Sequence, residues 1–156
     1  MNMKIRMAAA AVFFPAMLSS GMGSVCAAPS AYEDSIRYRR AAMVMIKHHY
    51  EKALTAVKAT PVDRALLEKS AVYLELLAKQ VGEGYEPGSH GGETHAKPEI
   101  WENRAKFDKL AESFQAEAVK FRQMAKTLDA KTGRQALDNL SKPCKSCHDE
   151  YKKRST

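Results

Sequence analysis

The C-terminal region of the chain contains a Cys-x-x-Cys-His sequence, formed by Cys144, Lys145, Ser146, Cys147 and His148. On an α-helix two cysteines three residues apart share one face, and the histidine follows directly after the second. This spacing is the attachment signature of a c-type haem, in which two thiols bond to one porphyrin edge and the imidazole reaches the iron. The motif predicts one covalently bound haem c, with Cys144 and Cys147 as attachment residues and His148 as the proximal axial ligand.

The first 27 residues have the pattern of a secretory signal peptide. Two basic residues precede an apolar stretch, and Val25 and Ala27 fit a signal peptidase site. The stretch is too short to span a membrane stably, and Val25 directly before Cys26 disfavours a lipid anchor on that cysteine. We expect residues 1–27 to be cleaved on export to the periplasm, and residues 28–156 to form one domain without a stable membrane anchor.

Removal of this leader changes both the cysteine count and the charge. Of three cysteines, only the two in the motif remain. An exported protein usually pairs its cysteines in disulfides, whereas these two have a haem to bond. Without the two basic residues of the leader, the formal charge falls from +7 to +5, and the basic residues are spread among acidic ones. This distribution predicts no nucleic-acid partner; the charge would offset haem propionates and favour acidic redox partners.

Four segments show the apolar period of amphipathic helices, and no segment alternates as a β-strand does. Their predicted starts are capping or helix-initiating residues, namely Ser30 with Glu33 as its capping partner, Thr60 followed by Pro61, Lys97 followed by Pro98, and Thr132 with Gln135 as its partner. A glycine-rich loop, defined here as residues 82–97, separates the second and third segments.

Four such helices joined mostly by short turns predict an all-α, antiparallel up-down-up-down four-helix bundle with a cofactor between facing helices. Both motif cysteines share the apolar face of the fourth helix with Leu137 and Leu140, so the haem would be attached inside the core. Met124, on the third helix, is also expected in the core. Pro143 stands directly before the first cysteine and predicts a kink or a break in the fourth helix.

The cysteine pair has two other possible uses. A redox dithiol is expected in a βαβ setting, which this chain lacks, and structural zinc requires four ligands. Four histidines are available, but their spacing brings no two of them to the cysteines; we expect packed or solvated rings at His48 and His49, and exposed rings at His90 and His95. No acid–base or nucleophilic group set accompanies the motif, so enzymatic turnover is not predicted.

Three further residues bear on a haem pocket. Met43 lies on the inward face of the first helix, one turn after Arg39. A buried Arg39 would need an anionic partner such as a haem propionate, whereas the alternative is a surface arginine that reaches past the bundle edge. Trp101 would pack against the edge or face of a haem.

The chain resembles the cytochrome c prime family over nearly all of residues 28–156. The similarity lies in the first-helix residues Tyr38-Arg39-Arg40 and Met43, in the glycine-rich loop that leads to Lys97-Pro98-Glu99-Ile100-Trp101, and in the motif from Cys144 to Tyr151. The resemblance implies a periplasmic four-helix bundle, often a homodimer through its first helices. It also implies a five-coordinate haem iron with His148 as sole protein ligand, which binds nitric oxide and carbon monoxide, discriminates against dioxygen and can pass electrons.

The resemblance also implies the surroundings of the haem. Its periphery is expected to include Arg39, Arg40, Thr94, Trp101, Tyr151 and Lys152. The position of Met43 is apolar and distal in the family, and a low-spin branch of the fold uses methionine there as sixth ligand. The alternative function is therefore a six-coordinate electron carrier with His148 and Met43 as axial ligands. Many relatives carry arginine where this chain has Lys152, which keeps the charge but lacks the planar fork.

Overall fold

The computed structural model describes residues 31–154, and the proposed leader and the cap at Ser30 lie outside them. Within this range the chain forms five helices, α1 Ala31–Lys58, α2 Arg64–Gln80, α3 Glu99–Glu102, α4 Arg104–Met124 and α5 Ala130–Tyr151. The described part contains no β-strand beyond one isolated bridge between Ala96 and Lys152. No helix in it is long and apolar enough to cross a membrane.

The four long helices close into a ring in chain order. α1 packs on α2, α2 on α4, α4 on α5, and α5 packs back on α1. The connections 59–63 and 125–129 are short, which makes the helices they join antiparallel neighbours. The predicted up-down-up-down four-helix bundle is confirmed.

The interior of the bundle divides into two apolar clusters. The larger joins all four long helices and includes fully buried side chains such as Leu67, Leu74, Phe121 and Leu137. Each of these large side chains stabilises the fold by about 1.5–3 kcal/mol relative to an exposed position. The smaller cluster consists of residues from the glycine-rich loop, α3, α4 and α5, namely Tyr85, Ile100, Phe107 and Tyr151.

Two predicted helix starts are wrong because aspartates cap these helices. α2 begins after Asp63, whose carboxylate accepts the N–H of Leu66, rather than at Thr60. α5 begins after Asp129, which forms a capping box with Thr132, so Thr132 is the partner and not the cap. An aspartate carboxylate accepts N–H groups in the first turn and complements the helix dipole, which favours these positions.

The predicted third helix is interrupted at Asn103. This residue ends α3 with φ −129° and ψ 58°, and its side chain accepts the N–H of Lys106 to start α4. At its other end α4 stops at Met124, which is 41 % exposed, so the prediction that Met124 lies in the core is wrong. The neighbouring Ala125 is fully buried instead.

Pro143 lies inside α5, and the helix continues without a break from Ala130 to Tyr151. Proline offers no N–H to the preceding turn, which ordinarily weakens a helix. The Pro143 side chain is buried, and the first cysteine follows it on the same continuous helix. The helix therefore presents the whole Cys-x-x-Cys-His motif in one piece.

Candidate functional site

A cavity of about 560 Å³ lies between α1, α4, α5 and the glycine-rich loop. Cofactor pockets usually have volumes of about 300–1,000 Å³ and mostly apolar walls. The walls here are largely apolar and include Ile46, Leu74, Ile100, Phe107, Phe114 and Pro143. The cavity adjoins both apolar clusters, so bundle packing holds it open.

Both motif cysteines line this cavity and are half-buried. Their thiols are free rather than joined in a disulfide. Burial raises the pKa of both thiols, and together with the neighbouring Cys144 and Glu150 it brings the pKa of Cys147 to about 11. A redox dithiol needs a thiolate near neutral pH, so this environment disfavours that use and leaves two thiols facing one apolar volume.

His148 borders the cavity next to the cysteines and reaches solvent. Partial burial and then the charge of Lys152 lower the pKa of its imidazole, an effect that Asp149 opposes. The neutral imidazole is the form that binds a metal. The local helix thus places two thiols and a neutral imidazole beside the same space.

Met43 lies half-buried in the α1 wall of the cavity. Two turns further along α1, Tyr50 also lines it, and its hydroxyl donates to the carbonyl of Leu137 at 3.5 Å. Burial raises the pKa of Tyr50, so its phenol stays protonated. Tyr50 is absent from the predicted site residues, although it shares the predicted apolar face with Met43.

The predicted peripheral residues divide into two groups. Those that line the cavity are Arg39, Arg40, Thr94, Tyr151 and Lys152. Trp101 is not among the lining residues in the described part of the chain. Its indole N–H donates to the backbone carbonyl of Glu86 at 2.8 Å, so Trp101 anchors the glycine-rich loop from outside.

Arg39 is 3 % exposed, so the alternative of a surface arginine is wrong. Burial lowers its pKa, while the nearby Tyr85 and Glu86 oppose that shift. Its guanidinium donates four hydrogen bonds, all to neutral oxygens of the glycine-rich loop. Such contacts to backbone carbonyls and hydroxyls were not predictable from the apolar period of α1.

Four cationic side chains line the cavity, Arg39, Arg40, Lys47 and Lys152, and no acidic residue does so in the described part of the chain. The hydroxyl of Tyr151 is buried there without a partner of hydrogen-bonding geometry, although Glu150 lies near enough to help raise its pKa. A porphyrin is a flat apolar body with carboxylates on one edge. The volume, the apolar walls and the cationic lining therefore fit a haem.

The histidines give no support to a structural zinc site. His49 is buried and stacks on Tyr73 with ring centroids 4.3 Å apart, while His48, His90 and His95 are exposed as expected. Within residues 31–154, no three side chains of the ligating types come close enough together to hold a metal ion.

Comparison with known proteins gives one consistent result. A family model described as Cytochrome C′ matches residues 34–152. The cytochrome c′ of Alcaligenes xylosoxydans xylosoxydans is 32% identical over 123 residues, covering 78% of this chain and 95% of that protein. That of Rubrivivax gelatinosus is 30% identical over 123 residues, with coverages of 78% and 95%.

Solved structures agree with the sequence comparisons. Cytochrome c prime from Shewanella frigidimarina superposes with a TM-score of 0.74 at 34% identity, covering 81% of this chain and all of that one. A nitric oxide complex of a cytochrome c prime variant from Alcaligenes xylosoxidans has a TM-score of 0.72 at 31% identity, covering 80% and 98%.

Proposed function

Because the chain belongs to the cytochrome c′ family, which carries covalently attached c-type haem, we propose that it is a five-coordinate haem protein that binds nitric oxide and carbon monoxide. The observation that carries the proposal is one apolar cavity bordered by two free thiols and an imidazole from a single helix. A relative in this family has been solved as a nitric oxide complex. When bound, the haem supplies an iron centre for small ligands.

The residues of α5 have distinct roles in this proposal. Cys144 and Cys147 hold the haem by thioether bonds, and His148 provides its only protein ligand. Burial, and secondarily the charge of Lys152, lowers the pKa of the His148 imidazole, which favours its neutral form. Four cationic side chains and no acidic ones line the cavity within residues 31–154, so the charge of the lining balances the haem carboxylates.

The α1 wall accounts for discrimination among gases. Met43 and Ile46 offer no hydrogen-bond donor, and the Tyr50 hydroxyl has the Leu137 carbonyl as an acceptor at 3.5 Å. Arg40 and Lys47, the exposed cations of this wall, are assigned to the haem carboxylates. Bound dioxygen depends on a nearby donor, whereas nitric oxide and carbon monoxide depend on one much less. A site with these walls favours the latter two.

The second candidate function is a six-coordinate electron carrier in which Met43 is the sixth ligand. The position of Met43 in the cavity wall favours it. Methionine ligation would raise the reduction potential and close the site to gases.

Optical spectra of the ferric and ferrous holoprotein, with and without carbon monoxide, decide between the two. We expect high-spin spectra that Met43→Ala leaves high-spin, with carbon monoxide binding in both proteins. Met45→Ala is the matched control, because Met45 lies on α1 but is exposed. A low-spin spectrum that is lost only in Met43→Ala would replace the gas-binding proposal with the carrier.

We also propose export to the periplasm with loss of residues 1–27. Covalent haem attachment outside the cytoplasm agrees with a leader of that pattern. N-terminal sequencing of holoprotein from a periplasmic extract tests this, with an N-terminus near residue 28 expected. An intact leader on haem-bearing protein would contradict it.

A homodimer through α1 and α2 is the third part of the proposal. Stacking of His49 on Tyr73 fixes the register of these antiparallel helices. Met45 lies one turn before His49 and Leu76 one turn after Tyr73, so both lie towards the same end, and Met45, Tyr73 and Leu76 are all exposed. Exposed apolar groups of this kind suit a self-complementary interface.

Light scattering after size-exclusion chromatography tests the dimer. We expect a dimer mass for the holoprotein and a monomer mass for Leu76→Lys, whose side chain is 52 % exposed. The control is Ala116→Lys, at an exposed position on α4. A monomeric wild-type protein at high concentration would contradict this part and leave the haem proposal intact.

A further inference from the structure

The guanidinium of Arg39 is the centre of the glycine-rich loop. Its Nη1 donates to the carbonyl of Gly84 at 2.8 Å and to the hydroxyl of Ser89 at 2.9 Å. Its Nη2 donates to the carbonyl of Ser89 at 2.7 Å and to the hydroxyl of Thr94 at 2.9 Å. One side chain on α1 thus joins the beginning, middle and end of the loop.

Two aromatic rings enclose the same guanidinium. Its carbon lies 4.9 Å from the ring centroid of Tyr85 and 5.6 Å from that of Trp101. Such cation–π contacts stabilise a cation that is removed from water. Trp101 also donates to the loop carbonyl of Glu86, so the ring that covers Arg39 is itself attached to the loop.

The loop backbone is shaped for this close approach. Gly84 has φ +72°, in the left-handed region that side chains disfavour, and a Cβ there would lie 3.0 Å from the carbonyl oxygen of Ser35 on α1. Gly84 therefore lets the loop carbonyl reach Arg39.

The loop is also part of the haem cavity. Tyr85, Thr94, His95 and Ala96 line it. At its far end the loop is bonded to α5, since the N–H of Lys97 donates to the carbonyl of Tyr151 at 2.9 Å and the N–H of Lys153 donates to the carbonyl of His95 at 2.7 Å. The loop therefore spans the space from α1 to the helix that carries the Cys-x-x-Cys-His motif.

We propose that Arg39 is a positioning residue that holds the glycine-rich loop closed as a wall of the haem cavity and thereby slows the access of gaseous ligands. Four of its five N–H donors are bonded to the loop, so its hydrogen bonds hold the loop while its charge adds to the cationic lining of the cavity. Arg40, Lys47 and Lys152 also line the cavity, and their exposed side chains are the more mobile cations available to haem carboxylates. The statement about ligand access rests on the proposed function, whereas the statement about the loop does not.

The first measurement is amide hydrogen exchange of residues 84–96 in the holoprotein. Arg39→Gln removes the donors, and the double variant Ser89→Ala/Thr94→Val removes two hydroxyl acceptors while keeping the charge. We expect both to speed exchange in the loop, by about tenfold or more for Arg39→Gln. Arg37→Gln, an exposed residue paired with Asp34, is the matched control and is expected to change nothing.

The second measurement is the carbon monoxide association rate after flash photolysis. We expect a several-fold increase in Arg39→Gln and a smaller one in the double variant, both in step with loop exchange. Arg64→Met serves as a control for general destabilisation, because Arg64 bonds to the carbonyls of Ala125 and Leu128 away from the loop. It is expected to lower the thermal midpoint while leaving the association rate unchanged.

Three results would overturn the proposal. One is unchanged loop exchange in both loop variants. The second is faster exchange with an unchanged association rate, which would remove the access role. The third is an association rate that rises equally in Arg64→Met. If Arg39→Gln yields no holoprotein, the double variant tests the proposal by the same two measurements. A wild-type protein that binds no carbon monoxide would contradict the gas-binding proposal, and hydrogen exchange would still test the role of Arg39 in holding the loop.

Discussion

Gly133, on the helix of the Cys-x-x-Cys-His motif, packs against Val57 of α1, and its substitution by alanine is a test of this packing. A Cβ at Gly133 would lie 2.8 Å and 3.1 Å from the two methyl carbons of Val57. Val57 is fully buried and β-branched, so its side chain has few alternative rotamers. The extra carbon must therefore push α5 away from α1.

Two opposing terms determine the size of the effect. Alanine gains up to about 1 kcal/mol over glycine inside a helix. Overpacking a buried contact costs about 1–3 kcal/mol. We expect Gly133→Ala to destabilise the holoprotein by about 0–2 kcal/mol in urea unfolding, despite its higher helix propensity.

A double-mutant cycle with Val57→Ala makes this prediction sharp. Val57→Ala alone should cost about 2 kcal/mol, from two lost carbon atoms and the cavity they leave. In that background the alanine at position 133 meets only the remaining Cβ at position 57, at 3.6 Å, which is an ordinary van der Waals contact. It should therefore stabilise, with a coupling above about 1 kcal/mol. Gly91→Ala, where no atom lies within 4 Å of the added Cβ, is the matched control. Stabilisation of the wild-type protein by Gly133→Ala, with coupling below about 0.5 kcal/mol, would refute the close approach.

Two further predictions concern stability. Arg64→Met should lower the unfolding free energy by about 1–3 kcal/mol, because Arg64 donates at 2.9 Å and 2.8 Å to the carbonyls of Ala125 and Leu128 after α4; an unchanged urea midpoint would contradict this. Burial, and then the charge of His48, lowers the pKa of His49 below its usual value near 6.5. Because the folded-state pKa of His49 is the lower one, the unfolded chain binds more protons at this residue as the pH falls below its usual pKa. The free energy of unfolding therefore decreases with falling pH in that range. His49→Gln should lose less stability between about pH 7.5 and 5.5 than wild type, and an identical pH profile would contradict this.

The parts of the fold that depend on local sequence were predictable. The apolar period of four segments gave the bundle, and the Cys-x-x-Cys-His spacing placed both cysteines on one helical face. The exact helix starts were harder to predict, because Asp63 and Asp129 compete as caps with Thr60 and Thr132, which also satisfy capping patterns. In the structure the two carboxylates accept first-turn N–H groups and complement the helix dipole, whereas the sequence pattern alone fits both choices.

The surroundings of the cavity were predicted in part. Arg40, Thr94, Tyr151 and Lys152 line the cavity, and their place at the periphery of a haem stays a prediction. The environment of Arg39 was not predictable, because its four acceptors lie in a loop without apolar period and are brought together by long-range contacts. Asn103 likewise divides the third helix at a position where the apolar period continues.

The intact mass of the denatured, exported protein tests the haem attachment most directly. We predict the mass of the chain without residues 1–27 plus one haem, with neither Cys144 nor Cys147 available to an alkylating reagent. Holoprotein lacking the mass of a haem, with two thiols that react, would contradict the account.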